Sequence, residues 1–227
     1  MTASFVERLN GVVHDLEQVP YRTGERDARQ GHGLRDRALE AAASDAPARG
    51  IEISGLEVLV EIWPDTKDGH GSWVTGGTVV GTGPRPASVV AGYVDLLFMS
   101  TEGVRRTYYR LLTVDDPDAD VATVRLIECV KEVGPDWRST WADTTTAYVR
   151  VSRLPAGVLI AAELDTAEGL ASTRRVMDGV LTGLSLECEG VLRVTPFGMA
   201  RQLTTLKGRG WPLTFGTARR LAFRSAR

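Results

Sequence analysis

From Gly50 to Val194 the chain alternates. Short runs of Val, Ile, Leu and Thr put apolar residues at every second position, and turn residues separate one run from the next. Ile51 and Ile53, then Val58, Val60 and Ile62, keep this spacing, although Ser54 and Glu57 also fit a short helix cap. Ser72–Thr82 is rich in Val, Thr and Gly and stops at the Gly83–Pro86 turn. Val90, Gly92, Val94, Leu96 and Phe98 share one face of the next run, and Arg105–Val114 follows a Glu-Gly turn. Ala122, Val124, Leu126, Glu128 and Val130 share a face of a longer run. Thr144–Ser152 and Gly157–Asp165 flank Leu154-Pro155-Ala156 as a hairpin, and Gly183–Val194 is the last run. That makes about eight sequential strands. Such strands hide their edges best by closing on themselves, so the pattern predicts a mainly β protein, a closed antiparallel barrel with flanking helices. A β-sandwich of two sheets is the alternative. Val89–Met99 and Gly183–Val194 are apolar on both faces, which calls for covering helices or a second subunit, and hence a homodimer.

Three segments follow from the pattern. Residues 1–50 are polar and read as an N-terminal arm. Phe5, Leu9, Val12, Val13 and Leu16 fit an amphipathic helix, Pro20–Gly33 a loop, and Leu34–Ala43 a second helix. Residues 51–195 form the barrel, with a helix over 167–181 marked by Leu170, Arg174, Met177 and Leu181. Residues 196–227 form a basic C-terminal segment with helices over Phe197–Lys207 and Leu213–Phe223, expected to pack on the barrel. From Val191 onward there is no Asp or Glu. The chain as a whole carries −2, which argues against a nucleic-acid partner.

Most catalytic chemistry lacks its residues. His14, His32 and His70 are scattered and show no zinc spacing, so no metal is expected. Neither Cys129 nor Cys188 has a His nearby. Both lie in apolar runs and read as buried thiols, with a cross-strand disulfide as the alternative. The glycines Gly76, Gly77, Gly81 and Gly83 lie in and after a strand and lack the spacing that opens a dinucleotide site, so no cofactor is expected. No run approaches the length of a transmembrane helix, and the first residues do not resemble a signal peptide, so the cytoplasm is the expected location.

Two blocks stand apart from this pattern. Trp141–Val149 reads WADTTTAYV, and Thr195–Lys207 reads TPFGMARQLTTLK. Together they resemble the non-flavin module that accompanies cholesterol-oxidase-like members of the glucose-methanol-choline oxidoreductase family. A standalone chain of this kind also resembles the small β-barrel proteins of enediyne biosynthesis clusters. Where the module has Asp-Phe before Arg-Gln, this chain has Gly198-Met199-Ala200, which removes the helix-capping Asp. The first resemblance implies a non-catalytic module docked to a flavin oxidoreductase. The second implies a barrel holding a fatty-acid-like molecule or linear polyene intermediate.

A binding protein for a long apolar molecule is therefore the first expectation. A cofactor-free cyclase and an accessory docking module are the alternatives. Alternation nominates Val94, Leu96, Phe98, Val124, Leu126, Ala147, Val149, Val158, Ile160, Leu184 and Leu186 as walls of a barrel cavity. Glu128 shares the face of Val124 and Leu126, where a carboxylate could act as acid or base; the alternative is an outward Glu at a helix-covered or solvent-facing site, or one paired with Arg125 or Arg110. Tyr109 could assist the acid–base role. Asp143 reads as a turn residue before a strand, and Arg201 and Gln202 as anchors of a helix to the barrel.

Overall fold

The computed structural model describes residues 2–20, 33–61, 70–100, 103–115, 122–133, 140–155, 169–179, 183–195 and 204–205. Eight antiparallel strands follow one another around a closed barrel, and the last returns to the first. They are β1 (Thr2–Pro20), β2 (Ala48–Glu61), β3 (His70–Val80), β4 (Ala87–Met99), β5 (Arg105–Asp115), β6 (Thr123–Val133), β7 (Thr146–Arg153) and β8 (Ser185–Arg193). Three helices accompany them: α1 (Leu34–Ala42), α2 (Thr140–Thr145) and α3 (Gly169–Gly179). The expected barrel, the helix after Gly33 and the helix within 167–181 are present.

The expected helix over Phe5–Leu16 is a strand instead, and the barrel begins at Thr2. Ala3, Phe5, Leu9 and Val13 point inward with period two. Glu7 and Gly11 fill the intervening inward places and interrupt the apolar alternation. What is left of the pattern mimics helical spacing. β7 lies between β6 and β8, so the ring reaches eight strands with β1. Residues 157–165, 197–203 and 206–223, expected as a strand and two helices, lie outside the described residues apart from Thr204–Thr205.

One cluster of buried side chains draws on every strand, which only the lumen allows. Leu9, Ile53, Val79, Val94, Leu111, Ile127, Val149 and Leu192 represent the eight strands in order. None of these eight exposes surface to water. The barrel is filled by its own side chains, as the width of eight strands permits. Each such side chain contributes about 1.5–3 kcal/mol by burial. Ion pairs close both ends of this core. At one end Arg125 pairs with Asp115 and donates from Nε to Glu187 at 2.6 Å. At the other, Lys131 Nζ lies 2.5 Å from Glu7 Oε1.

A second cluster lies outside the wall. Tyr93, Tyr108, Leu112, Leu126 and Val130 belong to it, together with Leu170 and Met177 of α3, which packs on β4 and β3, and Leu34 of α1. Arg110 Nη1 lies 2.7 Å from Asp178, and Arg174 pairs with Asp95, so ion pairs hold α3 to β4 and β5. Arg35 and Arg37 tie α1 to Glu132 and Glu189. The two-faced apolar strand β4 is thus covered by a helix of the same chain.

The ring closes where β1 meets β8. At this seam the backbones approach closely: a Cβ on Gly11 would lie 2.0 Å from Val191 O, and one on Gly190 would lie 2.1 Å from Val12 O. The seam is short. β8 pairs with β1 only from Asn10 onward, so among the described residues Thr2–Leu9 have a strand partner on the β2 side alone. Across the gap, Lys131–Val133 of β6 extend past Val130, the last residue paired with β7. Here α2 packs on β6, and Val194 N donates to Thr145 O at 2.7 Å. Val6 N donates to Thr205 Oγ1 at 2.9 Å. Both sequence blocks therefore converge on the one interval, among the described residues, where the wall is not strand on both sides.

Candidate functional site

The structure divides the nominated wall residues. Val94, Ala147 and Val149 belong to the lumen cluster, with Leu96 packed against it. Phe98, Val124, Leu126 and Leu184 do not; they sit in the outer cluster. In β6 the inward residues are Ile127 and Cys129, so alternation placed Val124 and Leu126 one position out of phase. Both faces of β6 are apolar because both are covered, and periodicity alone cannot rank them. Phe98 turns outward because Leu97 adopts φ 55° within a bulge between Asp95 and Phe98. A second bulge puts Leu186 opposite Ser152, on the outward side of β7, where it is fully buried. Val158 and Ile160 lie outside the described residues.

Glu128 also faces outward, under α3. Its Oε1 accepts a bond from Tyr108 Oη at 2.5 Å and one from Arg110 Nη2 at 2.9 Å. It is a paired structural carboxylate and not a base in an apolar cavity. Burial, then the nearby Glu128 charge, pushes the Tyr108 hydroxyl well above its ordinary pKa. Tyr109 does enter the lumen. Burial and Glu7 raise its pKa in the same way, so it stays protonated near neutral pH. The two cysteines are free and buried. Burial raises both thiols. Cys188 reaches about 11, although Arg49 Nη2 donates to its Sγ and opposes the shift. Neither is a nucleophile at neutral pH.

Open space lies on the outside of the barrel instead. A groove of about 770 Å³ runs between α1, α2 and the outward faces of β1, β7 and β8. Its apolar strip includes Val12, Leu39, Ala42, Ala142 and Val191, and its polar rim includes His14, Arg35, Glu132, Asp143, Tyr148 and Arg193. Val12 and Leu39 are 47% and 44% exposed, an apolar surface that nothing among the described residues covers. Arg35 spans the rim, with Nη1 2.8 Å from Glu132 and its guanidinium 5.8 Å from the centre of the Tyr148 ring. Ala142, Asp143, Thr146 and Tyr148 all come from the WADTTTAYV block. In that block α2 turns directly into β7, which brings residues from both to one wall. A smaller groove of about 360 Å³ lies beside Thr204 and Thr205, against Val6, Glu57 and Leu59. Arg201 and Gln202 lie outside the described residues. Asp143 sits on α2 and lines the large groove, where a turn residue before the strand was expected.

Sequence reasoning missed the groove because its residues come from six separated elements and are mostly ordinary surface types. The signal that was available is the block itself, which departs from simple alternation. Among the described residues no group of His, Cys, Asp or Glu is placed to hold a metal ion. No helix there is long and apolar enough to cross a membrane.

Fold and groove together define a closed, eight-stranded, up-and-down antiparallel barrel with an amphipathic groove on its outer wall. Compared with known protein families, with curated proteins and with solved structures, the chain matches none.

Proposed function

We propose that this protein binds a long, mainly apolar small molecule, fatty-acid-like or a linear polyene, and carries it during enediyne-type natural-product biosynthesis. The observation that carries the reading is the groove. Its volume of about 770 Å³ falls in the range of small-molecule sites, and its apolar strip is exposed beside a polar rim. Such a site suits a chain with one polar end. Burial of roughly 300 Å² of ligand would gain about 7 kcal/mol before the costs of association. The ligand class rests on the resemblance of WADTTTAYV to the enediyne-cluster proteins. Four residues of that block line the groove. The seat is placed outside the lumen because the lumen side chains already fill the barrel.

The test begins with mass spectrometry of an organic extract of the purified protein, followed by titration with parinaric acid, a fluorescent polyene acid. Binding by the wild type, abolished in a folded V12D/L39D variant, is the expected result. Binding that survives in that variant moves the seat to the lumen. Recovery of a linear polyene unchanged supports a carrier; a cyclised product makes the protein a cyclase. No binding at all leaves docking to an oxidoreductase as the reading to pursue. Light scattering on the same sample tests the homodimer, which the proposal retains.

A further inference from the structure

The outer face where β1, β8 and β7 run side by side is ordered in rows. Asn10 lies opposite Arg193, and Arg193 opposite Thr146. Two residues along each strand, Val12, Val191 and Tyr148 make the next row, and His14, Glu189 and Arg150 make the third. Neighbours within a row stand about 5 Å apart and successive rows about 7 Å apart. The residues that alternate with them, Leu9, Val13, Leu192, Ala147 and Val149, belong to the lumen, so all three rows face outward. The first two rows and His14 line the groove. The third is closed: Arg37 of α1 and Arg150 both pair with Glu189. The floor of the groove is therefore polar at the end where α2 runs into β7 and apolar in the middle, with Leu39 and Ala42 of α1 completing the apolar strip.

Arg193 differs from most arginines of the wall. Arg106, Arg110, Arg125, Arg150 and Arg153 each pair with a carboxylate. Arg193 is exposed and, among the described residues, pairs with none. Two carboxylates line the same groove. Glu132 is held by Arg35 and Arg106, and Asp143 is engaged in an interaction of its own. The backbone that carries Arg193 is nevertheless held in place. Leu192 and Val194 on either side of it are buried, and Val194 N donates to Thr145 O. A guanidinium fork set between an amide and a hydroxyl, at the end of an apolar strip, presents several donors to one planar anion.

We propose that Arg193 is the residue that selects the ligand's head group: it takes a carboxylate, while the apolar chain runs along Val191 and Val12 toward Leu39. This inference rests on the groove being a binding site, and adds the chemistry of the head group and the direction of the chain. An alcohol of the same length keeps every apolar contact and gives up only the charge-assisted pair. Because Arg193 is open to water, salt screens that pair, so the selectivity depends on ionic strength.

Isothermal titration calorimetry of the full chain with decanoate and with decanol, at pH 8, tests this. At low salt the wild type is expected to bind decanoate about tenfold more tightly than decanol, with the ratio shrinking as salt rises. R193M should bring decanoate down to the level of decanol and leave decanol unchanged. R193K keeps the charge without the fork and should retain part of the preference. V12D/L39D, shown to be folded by circular dichroism, should lose both ligands. Equal affinity for the two ligands in the wild type, or a preference that survives in R193M, overturns the role of Arg193 and leaves the groove reading standing, since decanol still binds and still needs Val12 and Leu39. Binding of neither ligand, or binding of both that V12D/L39D leaves unchanged, overturns the groove reading and the role of Arg193 with it.

Discussion

Glu128 shows how a single residue can be legible in type and not in role. A carboxylate in an apolar run is unusual, and that oddity was visible in the sequence. A pairing with Arg110 on the neighbouring strand was one of the readings open for it; the bond from Tyr108, and the Asp178 of α3 that shares Arg110, were not visible. The consequence for stability is specific. E128A strips a carboxylate from Arg110 in the wall and should destabilise the fold by about 3–5 kcal/mol, whereas a double variant R110M/E128M should cost far less. Urea unfolding of both proteins tests this; equal losses would refute it. The thiols give a second expectation. Ellman's reagent at pH 8 should find neither Cys129 nor Cys188 in the native protein and both after unfolding. The Cys188 thiol is raised to about 11 in the fold. Because the unfolded chain ionises first, stability should fall as pH rises from the ordinary thiol value toward 11. A C188A variant should show less of that decline.

Among the elements, β3 to β8 were legible from alternation and turn residues, α3 from helical spacing and α1 from its Ala and Leu content; β2 was legible only weakly, because its apolar residues change phase between Ile53 and Val58, where the register shifts. β1 was not legible, since Glu7 and Gly11 occupy inward positions and leave a helix-like residue of the pattern. The bulges in β4 and β8 were invisible for a related reason: alternation assumes a register that one extra residue breaks. Leu97 holds φ 55° to make the bulge, a conformation that costs a branched residue about 1 kcal/mol. L97G should therefore match or exceed wild-type stability, despite the loss of a half-buried side chain; a loss above about 1 kcal/mol would contradict this reading. The seam makes the opposite demand. G190A places a methyl group against the carbonyl of Val12, so it must separate β1 from β8. Faster hydrogen exchange at Val12 and Val13, with exchange in β5 unchanged, is the expected signature.

For the whole molecule, fold class followed from strand count and order, because edges must be hidden whatever the details. The candidate site did not follow, since the groove draws on surface residues of six elements that strand alternation does not relate. A ligand in the outer groove should stabilise the native state by mass action. At a free concentration a hundred times its Kd it should add about 2.7 kcal/mol and raise Tm by several degrees. An unchanged Tm in the presence of a ligand that titrates by fluorescence would mean that it also binds the unfolded chain.

Ring closure by the first and last strands also sets a timetable for synthesis. β1 leaves the ribosome first, yet the β8 strand that covers its other edge begins only at Ser185. At common elongation rates the interval is on the order of ten to thirty seconds. Throughout that time Asn10–Pro20 offer an unpaired edge to any passing strand. A nascent chain of this kind depends on holding factors, or on slow translation placed after β8, more than one whose sheet closes locally. Ribosome-bound intermediates that end before residue 185 should be the species chaperones capture.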